Sequence, residues 1–242
     1  MKKGFVLTEI LVAILIIFIL SLISFRLIYV VLQKAKVVSA KAQISQLAML
    51  LEEVKDDTGY YPVYLSNLTL SSPPYMQSRN WKGPYTNKIP LDPWGHPYFY
   101  QIPPTTIFTS PTLPRHHGIP ETFFFNIDST SGQFTLRIEN HGITACTIWL
   151  NGVKIVNPNE FRNHPNPQII EKDITLTGSD ILKVRIRSQP GEYLYISISG
   201  FLPTKDYFIL GSYGKDGESG GEKFNADIVW YSNKYPNFQF RE

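Results

Sequence analysis

Oxygen-bearing side chains cluster in one glycine-rich segment near the end of the sequence, Ser212 to Asp227. Its acids and its amide are Asp216, Glu218, Glu222, Asn225 and Asp227. Side-chain oxygens without Cys or His suit a hard cation such as Ca²⁺. The spacing is not that of an EF-hand, and on composition alone a solvated acidic turn explains the segment at least as well.

Another acid, Glu9, is the only charged residue in the 21-residue apolar stretch from Phe5 to Phe25. As a helix this stretch is about 31 Å long, which matches the hydrocarbon thickness of a bilayer. A carboxylate there costs roughly 2.5–3.5 kcal/mol on insertion scales, and the helix dipole offsets only about 0.3–1 kcal/mol. A carboxylate in such a layer is stabilised by a cation close to it.

Two ordinary interpretations of the N-terminal segment account for it incompletely. A cleaved secretory signal needs a shorter apolar core and a small-residue cleavage site, and the sequence has neither. A plain signal anchor explains the length but not Glu9. Lys2 and Lys3 would keep the N-terminus in the cytoplasm, and Arg26 would reach the opposite interface.

The helix is predicted to continue beyond the membrane. Apolar residues recur three and four positions apart at Ile44, Leu47, Ala48, Leu51 and Val54. Gly59 then provides a stop signal. A single helix from Phe5 to about Asp57 would be roughly 80 Å long, with its second half packed against a globular head.

Proline, glycine and aromatic residues are dense between Tyr60 and Tyr100. This composition excludes a regular helix and predicts packed turns that lead into a strand at about Tyr98–Ile102. We expect Trp81, Tyr85 and Trp94 to pack within the head and not to bind a sugar.

Residues 103–205 are predicted to form an insertion into the head, with residues 101–120 as a Pro/Thr linker. Alternating apolar residues predict strands at Phe134–Ile138, Ile148–Leu150, Ile170–Leu176, Leu182–Ile186 and Leu194–Ile198. Asn151-Gly152 is a hairpin signal. Short strands at this spacing favour an Ig-like β-sandwich. The fold class is therefore α+β: a long helix on a small antiparallel sheet, with an inserted all-β domain.

Catalytic and nucleic-acid-binding functions find no support in the sequence. The histidines His116, His117, His141 and His164 are scattered without metal-ligand spacing. Cys146, the only cysteine, lies in an apolar strand, so we expect it in a core and no intrachain disulfide. The net charge of +3 gives no nucleic-acid footprint. We expect no enzyme.

Two sets of motifs carry a family resemblance. The segment Lys3-Gly4-Phe5-Val6-Leu7-Thr8-Glu9 resembles the signal of type IV prepilins. The motifs Trp81-Lys82-Gly83-Pro84-Tyr85 and Asp92-Pro93-Trp94-Gly95-His96-Pro97-Tyr98, with the segment 207–221, are similar to those of major pseudopilins of type II secretion. The resemblance covers about residues 1–102 and 206–231. Many relatives carry proline where this sequence has Arg26.

The resemblance implies a processing and assembly pathway. A prepilin peptidase would remove the leader 1–4 by cutting after Gly4 and would methylate Phe5, and Glu9 would pair with the N-terminal amine of a neighbouring subunit. Residues 5–57 would form the pilin helix, with 5–25 in the inner membrane. Residues 58–102 and 206–242 would form the periplasmic head of a subunit that polymerises with its own kind and contacts other pseudopilins and the secretion platform.

The resemblance also implies Ca²⁺ in the acidic segment. The matching ligands are the side chains of Asp216 and Asp227 and backbone oxygens near Tyr213 and Glu218, with Asn225 where many relatives have an acid. The ion would be structural. An alternative function is a pilus pilin whose inserted domain adheres to a ligand.

Overall fold

The structure is a computed structural model that describes residues 7–72, 80–116, 118–162 and 166–232. The chain divides into two units. We call Met1–Ile102 with Pro203–Glu242 the head unit, and Pro103–Leu202 the inserted unit.

One helix and twelve strands make up the described part of the chain. Helix α1 is Leu7–Thr58. The strands are β1 (Phe99–Gln101), β2 (Thr105–Thr109), β3 (Leu113–Pro114), β4 (Glu121–Asp128), β5 (Gly132–His141), β6 (Cys146–Leu150), β7 (Val153–Val156), β8 (Gln168–Leu176), β9 (Ser179–Ile186), β10 (Tyr193–Gly200), β11 (Ile209–Ser212) and β12 (Ile228–Tyr231). Three short 3₁₀ turns lie at Leu65–Thr69, Pro158–Phe161 and Lys223–Asn225.

Helix α1 runs without interruption for 52 residues because no glycine or proline interrupts it. It ends at Gly59, which adopts φ +82° and whose N–H donates to the Lys55 carbonyl at 2.6 Å. This is the glycine stop expected from the sequence. The helix is long and apolar enough to cross a membrane, by length and composition.

The second half of α1 packs against a small antiparallel sheet of order β1-β11-β12. The predicted apolar stripe is confirmed, since its five positions are at most 3% exposed. The rest of this core is formed mainly by Tyr61, Leu68, Tyr98, Phe208 and Leu210. The expected packing of the aromatic segment is also confirmed. Trp81 meets Tyr85 edge-on at 5.0 Å, and Trp94 Nε1 donates to Gln33 Oε1 at 2.8 Å.

The inserted unit joins the head between two paired strands. Gln101, at the end of β1, is paired with Ile209, at the start of β11. After the insertion the chain returns through Thr204, which bridges to Tyr61. The insertion therefore occupies the connection of a β-hairpin, where added chain leaves the pairing of both strands intact.

The inserted unit is a β-sandwich of two antiparallel sheets. One has the order β2-β10-β5-β8, with β3 also beside β10, and the other has the order β4-β9-β6-β7. Alternate residues of each strand face a shared core, whose fully buried members include Leu136, Ile138, Ile148, Leu182, Val184, Ile196 and Ile198. The five predicted strands are confirmed. Asn151 and Gly152 form the predicted tight hairpin between β6 and β7, with φ of 52° and 83°.

Two finer expectations for the insertion require correction. The sandwich is present, but with β2 and β3 together forming one edge its strand order is that of a jelly roll and not of an immunoglobulin domain. Alternation along each strand does not specify which distant strand it pairs with. Residues 101–120 are also not a linker, because β2 and β3 both pair with β10 along one edge of the sandwich. Proline is compatible with such an edge position.

Candidate functional site

The first candidate site is the N-terminal half of α1. Glu9 lies in the first turn and is exposed. The side chains that follow it are exposed around the whole helix; Leu11, Ile17 and Phe25, for example, are 65%, 63% and 71% exposed. Apolar surface on every side requires lipid or other apolar helices around it. Gly4 and Phe5 lie outside the described residues.

The head contacts α1 shortly beyond this apolar segment. Lys215 Nζ donates to the Tyr29 hydroxyl at 2.7 Å, and Trp94 is bound to Gln33 on the next turn of the helix. Lys215 belongs to the acidic segment, which we call the acidic loop, Ser212–Asp227. One end of the acidic loop is therefore attached to the part of α1 that follows the apolar span.

The acidic loop is closed by its own hydrogen bonds. The Lys215 N–H donates to the Phe224 carbonyl at 2.8 Å, and the Gly220 N–H donates to Asp227 Oδ1 at 3.0 Å. Asp216 Oδ1 accepts from the Glu218 N–H at 3.3 Å. Both carboxylates that the sequence singles out as ligands, Asp216 and Asp227, are thus oriented by loop amides.

Backbone oxygens pack closely against two glycines inside the loop. A Cβ on Gly214 would lie 2.8 Å from the Ala226 carbonyl oxygen and 2.9 Å from that of Phe224, and a Cβ on Gly221 would lie 2.5 Å from that of Asn225. The loop therefore offers carbonyl oxygens beside its carboxylates, which is the donor type that Ca²⁺ takes. Among the described residues no group of three or more His, Cys, Asp or Glu side chains converges, so any site here combines side-chain and backbone oxygens.

The sequence placed Asp92 in a family motif without giving it a role, and the structure shows that it fixes the start of the acidic loop. This carboxylate is 4% exposed, and its Oδ1 accepts from the N–H groups of Trp94 and His96 at 3.0 and 2.8 Å. Its Oδ2 accepts from the Ser212 hydroxyl at 2.5 Å, and Ser212 Oγ in turn accepts from the Gly214 N–H at 3.0 Å. Besides that motif, the sequence signal was Asp before Pro, which is typical of a turn.

His96 provides a second support for the loop. Its Nε2 lies 3.3 Å from the Lys215 carbonyl oxygen, and a Cβ on Gly217 would lie 2.7 Å from the imidazole ring. The loop thus rests against the Asp92–His96 turn at two points. The two sequence motifs of the head, far apart in the chain, form one structural unit.

The described cysteine and histidines that the sequence offered for chemistry lie apart from one another. Cys146 is 1% exposed in the core of the inserted unit, as expected, and burial raises the pKa of its thiol. His116 pairs with Glu121 at 2.8 Å, and His141 contacts Glu139 at 3.0 Å and stacks on Tyr193. His117 and His164 lie outside the described residues.

Comparison with known proteins relates the chain to one family. The model of the family described as type II secretion system protein G matches residues 28–109. The type II secretion system core protein G of Pseudomonas aeruginosa is 36% identical over 108 residues, which are 43% of this chain and 76% of that protein. The protein of the same description from Xanthomonas campestris pv. campestris is 40% identical over 65 residues, 26% of this chain and 43% of that protein. No solved structure matches.

Proposed function

This chain belongs to the type II secretion system protein G family, and we propose that it is processed by a prepilin peptidase and polymerises into a pseudopilus. Members of this family are structural pseudopilins and not enzymes. The proposed pathway begins with cleavage between Gly4 and Phe5 and N-methylation of Phe5. The family match begins at residue 28, so these processing positions rest on the N-terminal motif alone.

The observation that supports polymerisation is the exposed apolar half of α1 with Glu9 in its first turn. Burying the Glu9 carboxylate alone in a membrane costs free energy. Among subunits it pairs with the N-terminal amine that cleavage creates on Phe5 of a neighbour. An ion pair that forms only between subunits turns two unfavourable charges into a contact that sets their register. Apolar side chains on all sides of the helix let it pack among copies of itself.

The proposed topology follows from the charges beside the apolar span. Lys2 and Lys3 hold the N-terminus in the cytoplasm before cleavage, and the head folds in the periplasm. The proposed partners in the inner membrane are the peptidase, other pseudopilins and the secretion platform. Polymerisation would then extend the heads away from the membrane and push a secreted protein outwards.

We also propose that the acidic loop holds a structural Ca²⁺. The candidate ligands are the side chains of Asp216 and Asp227 and backbone oxygens near Tyr213 and Glu218, with Asn225 as a further oxygen donor. The closed loop, with carbonyl oxygens packed against Gly214 and Gly221, supports this proposal, because it supplies oxygen donors without a disulfide or a His or Cys ligand. The ion would stabilise the loop by binding only the folded head.

The test of the proposed function is the variant Glu9→Gln in the full chain, in cells that carry the secretion system. We expect the variant to insert into the membrane and to be cleaved before Phe5, but to form no filaments. Glu53→Gln is the matched control, since Glu53 is an exposed acid on the same helix beyond the apolar span. Filaments of Glu9→Gln as abundant as those of Glu53→Gln would overturn the proposal, as would a mature protein that begins elsewhere than at Phe5.

A further inference from the structure

The two outer faces of the inserted unit differ in charge. The outward side chains of the β4-β9-β6-β7 sheet form what we call the basic face. On it Lys183 lies between Phe124 and Trp149, with its Nζ 5.6 and 5.0 Å from the two ring centroids. Arg185 follows two residues along β9, and Lys154 pairs with Trp149 across the sheet.

The basic face is also unusually apolar for an outer surface. Phe124 is 63% exposed and Ile181 is 52% exposed. Among the described residues, the one acid at an outward strand position of this sheet is Asp128, at the far end of β4, where the Ser179 hydroxyl donates to it. Cations and exposed apolar side chains therefore occupy its middle together.

The outward side chains of the β2-β10-β5-β8 sheet form the acidic face. Glu139, Glu171 and Asp173 lie there on the adjacent strands β5 and β8. Arg137 is the one Lys or Arg at an outward strand position of this face in the described chain, and it is already paired with Glu171 at 2.8 Å. Exposed apolar and aromatic groups, including Ile169 and Tyr195, lie beside these acids.

We propose that the basic face of the inserted unit docks on the acidic face of the inserted unit in the next copy of this chain. The two faces lie on opposite sides of one sandwich, so each copy offers both halves of the contact. A contact between two different faces is heterologous, and repeated without closure it generates a helical array. This inference rests on the proposed function, since it supplies a second contact along the same filament.

The size of the faces suits a contact that works only within a filament. The four main strands of each face contain four to ten residues, so a face covers roughly 400–500 Å², from the spacings of β-structure. A stable pair of free proteins buries about 800 Å² on each partner. Copies already held together by α1 meet at a high effective concentration, so a small charged contact becomes occupied.

A cysteine pair in the full chain tests which faces meet. Thr122→Cys places a thiol on the basic face, beside Arg185, and Thr175→Cys places one on the acidic face. Both positions are exposed, and the native Cys146 is buried and does not compete. Filaments are treated with a bifunctional maleimide. We expect a ladder of trimers and larger species from the double variant, and no ladder or dimer from either single variant.

Charge exchange tests the complementarity of the two faces. In the double-cysteine background, Lys183→Glu with Arg185→Glu should abolish the ladder, as should Glu171→Lys with Asp173→Lys. All four changes together should restore it. In the unaltered-charge background the ladder should also decline as salt rises towards 1 M, where charges are screened within about 3 Å. This last measurement does not depend on the folding of charge variants.

Several outcomes would overturn the inference while leaving the proposed function intact. Filaments visible by electron microscopy without any ladder would do so, as would dimers from a single cysteine, which would mean that like faces meet. Absence of a ladder together with charge-dependent binding of polygalacturonate would assign the basic face to an anionic glycan instead. Wild-type chains that form no filaments would overturn the proposed function itself.

Discussion

Single residues decide how the head unit is held together, and Asp92 is the main example. It is a buried carboxylate that accepts hydrogen bonds from two amides and from the Ser212 hydroxyl. Removing one partner would leave buried polar atoms unsatisfied, which costs about 1–3 kcal/mol. Asp92 thereby joins the turn that contains Trp94 to the first residues of the acidic loop. The turn at Asp92 therefore fixes the position of the first residues of the acidic loop.

Removal of Ca²⁺ is expected to destabilise the head. At a free concentration about 100-fold above the dissociation constant, a bound ion contributes about 2.7 kcal/mol of unfolding free energy. Chelation should therefore lower the melting temperature of the detergent-solubilised chain, followed by near-ultraviolet circular dichroism. Asp216→Ala without chelator should have the same effect.

Glu222→Gln serves as the control for this experiment, because Glu222 lies in the same loop but outside the proposed ligand set. It should melt like the wild type and remain sensitive to chelation. Melting curves of the wild type that coincide with and without chelator would show that the loop is an ordinary acidic turn.

At the scale of elements, α1 has two halves with different surroundings. Its first half exposes apolar side chains in all directions, whereas its second half buries one stripe against the sheet of the head. The change occurs at about Gln33, which is 7% exposed and bound to Trp94. One continuous helix is thus long and apolar enough to cross a membrane, and its second half is part of the core of the head.

Truncation of the buried stripe should destabilise the head without affecting the span. Leu51 is fully buried, so Leu51→Ala should lower the free energy of unfolding by about 2–5 kcal/mol. Met49 is on the same helix and is 70% exposed, so Met49→Ala should change it by no more than about 0.5 kcal/mol. Urea unfolding of both variants in detergent checks this, and equal effects would mean that α1 is not packed as described.

The whole molecule combines a pseudopilin head with a jelly roll inserted at one hairpin connection. The insertion leaves both strands of that hairpin paired, Gln101 with Ile209, so the head keeps its own sheet and its own core. The inserted unit likewise has a separate core of its own. The proposed assembly through α1 and the proposed contacts through the sandwich can therefore be separated by mutation.

Deletion of residues 103–202, with a short Gly-Ser connection, should leave a folded head that still forms filaments. The salt-dependent contact between the charged faces should be lost, because both faces are gone. Electron microscopy measures filament formation, and secretion of the system's substrate is measured separately. Complete loss of filaments from a head that still melts cooperatively would show that the sandwich is required for assembly. Glu9→Gln in the same deletion provides the negative control.

Local patterns in the sequence were sufficient to predict helix α1 and the strands of the sandwich. An uninterrupted apolar and then striped segment specified α1 and its stop at Gly59, and alternation specified the strands of the sandwich, because both depend on neighbours a few positions away. Cleavage after Gly4, methylation of Phe5 and the Ca²⁺ ligands stay predictions.

Only the tertiary structure showed the hydrogen bonds and strand pairings that join residues far apart in the sequence. Asp92 and Ser212 are 120 positions apart, and β2 pairs with β10 at the other end of the inserted unit. The jelly-roll order replaced the immunoglobulin order for the same reason. The charged faces also exist only once strands from across the unit lie side by side. Pairing between remote segments is chosen by the packing of the whole core, which no short stretch of sequence contains.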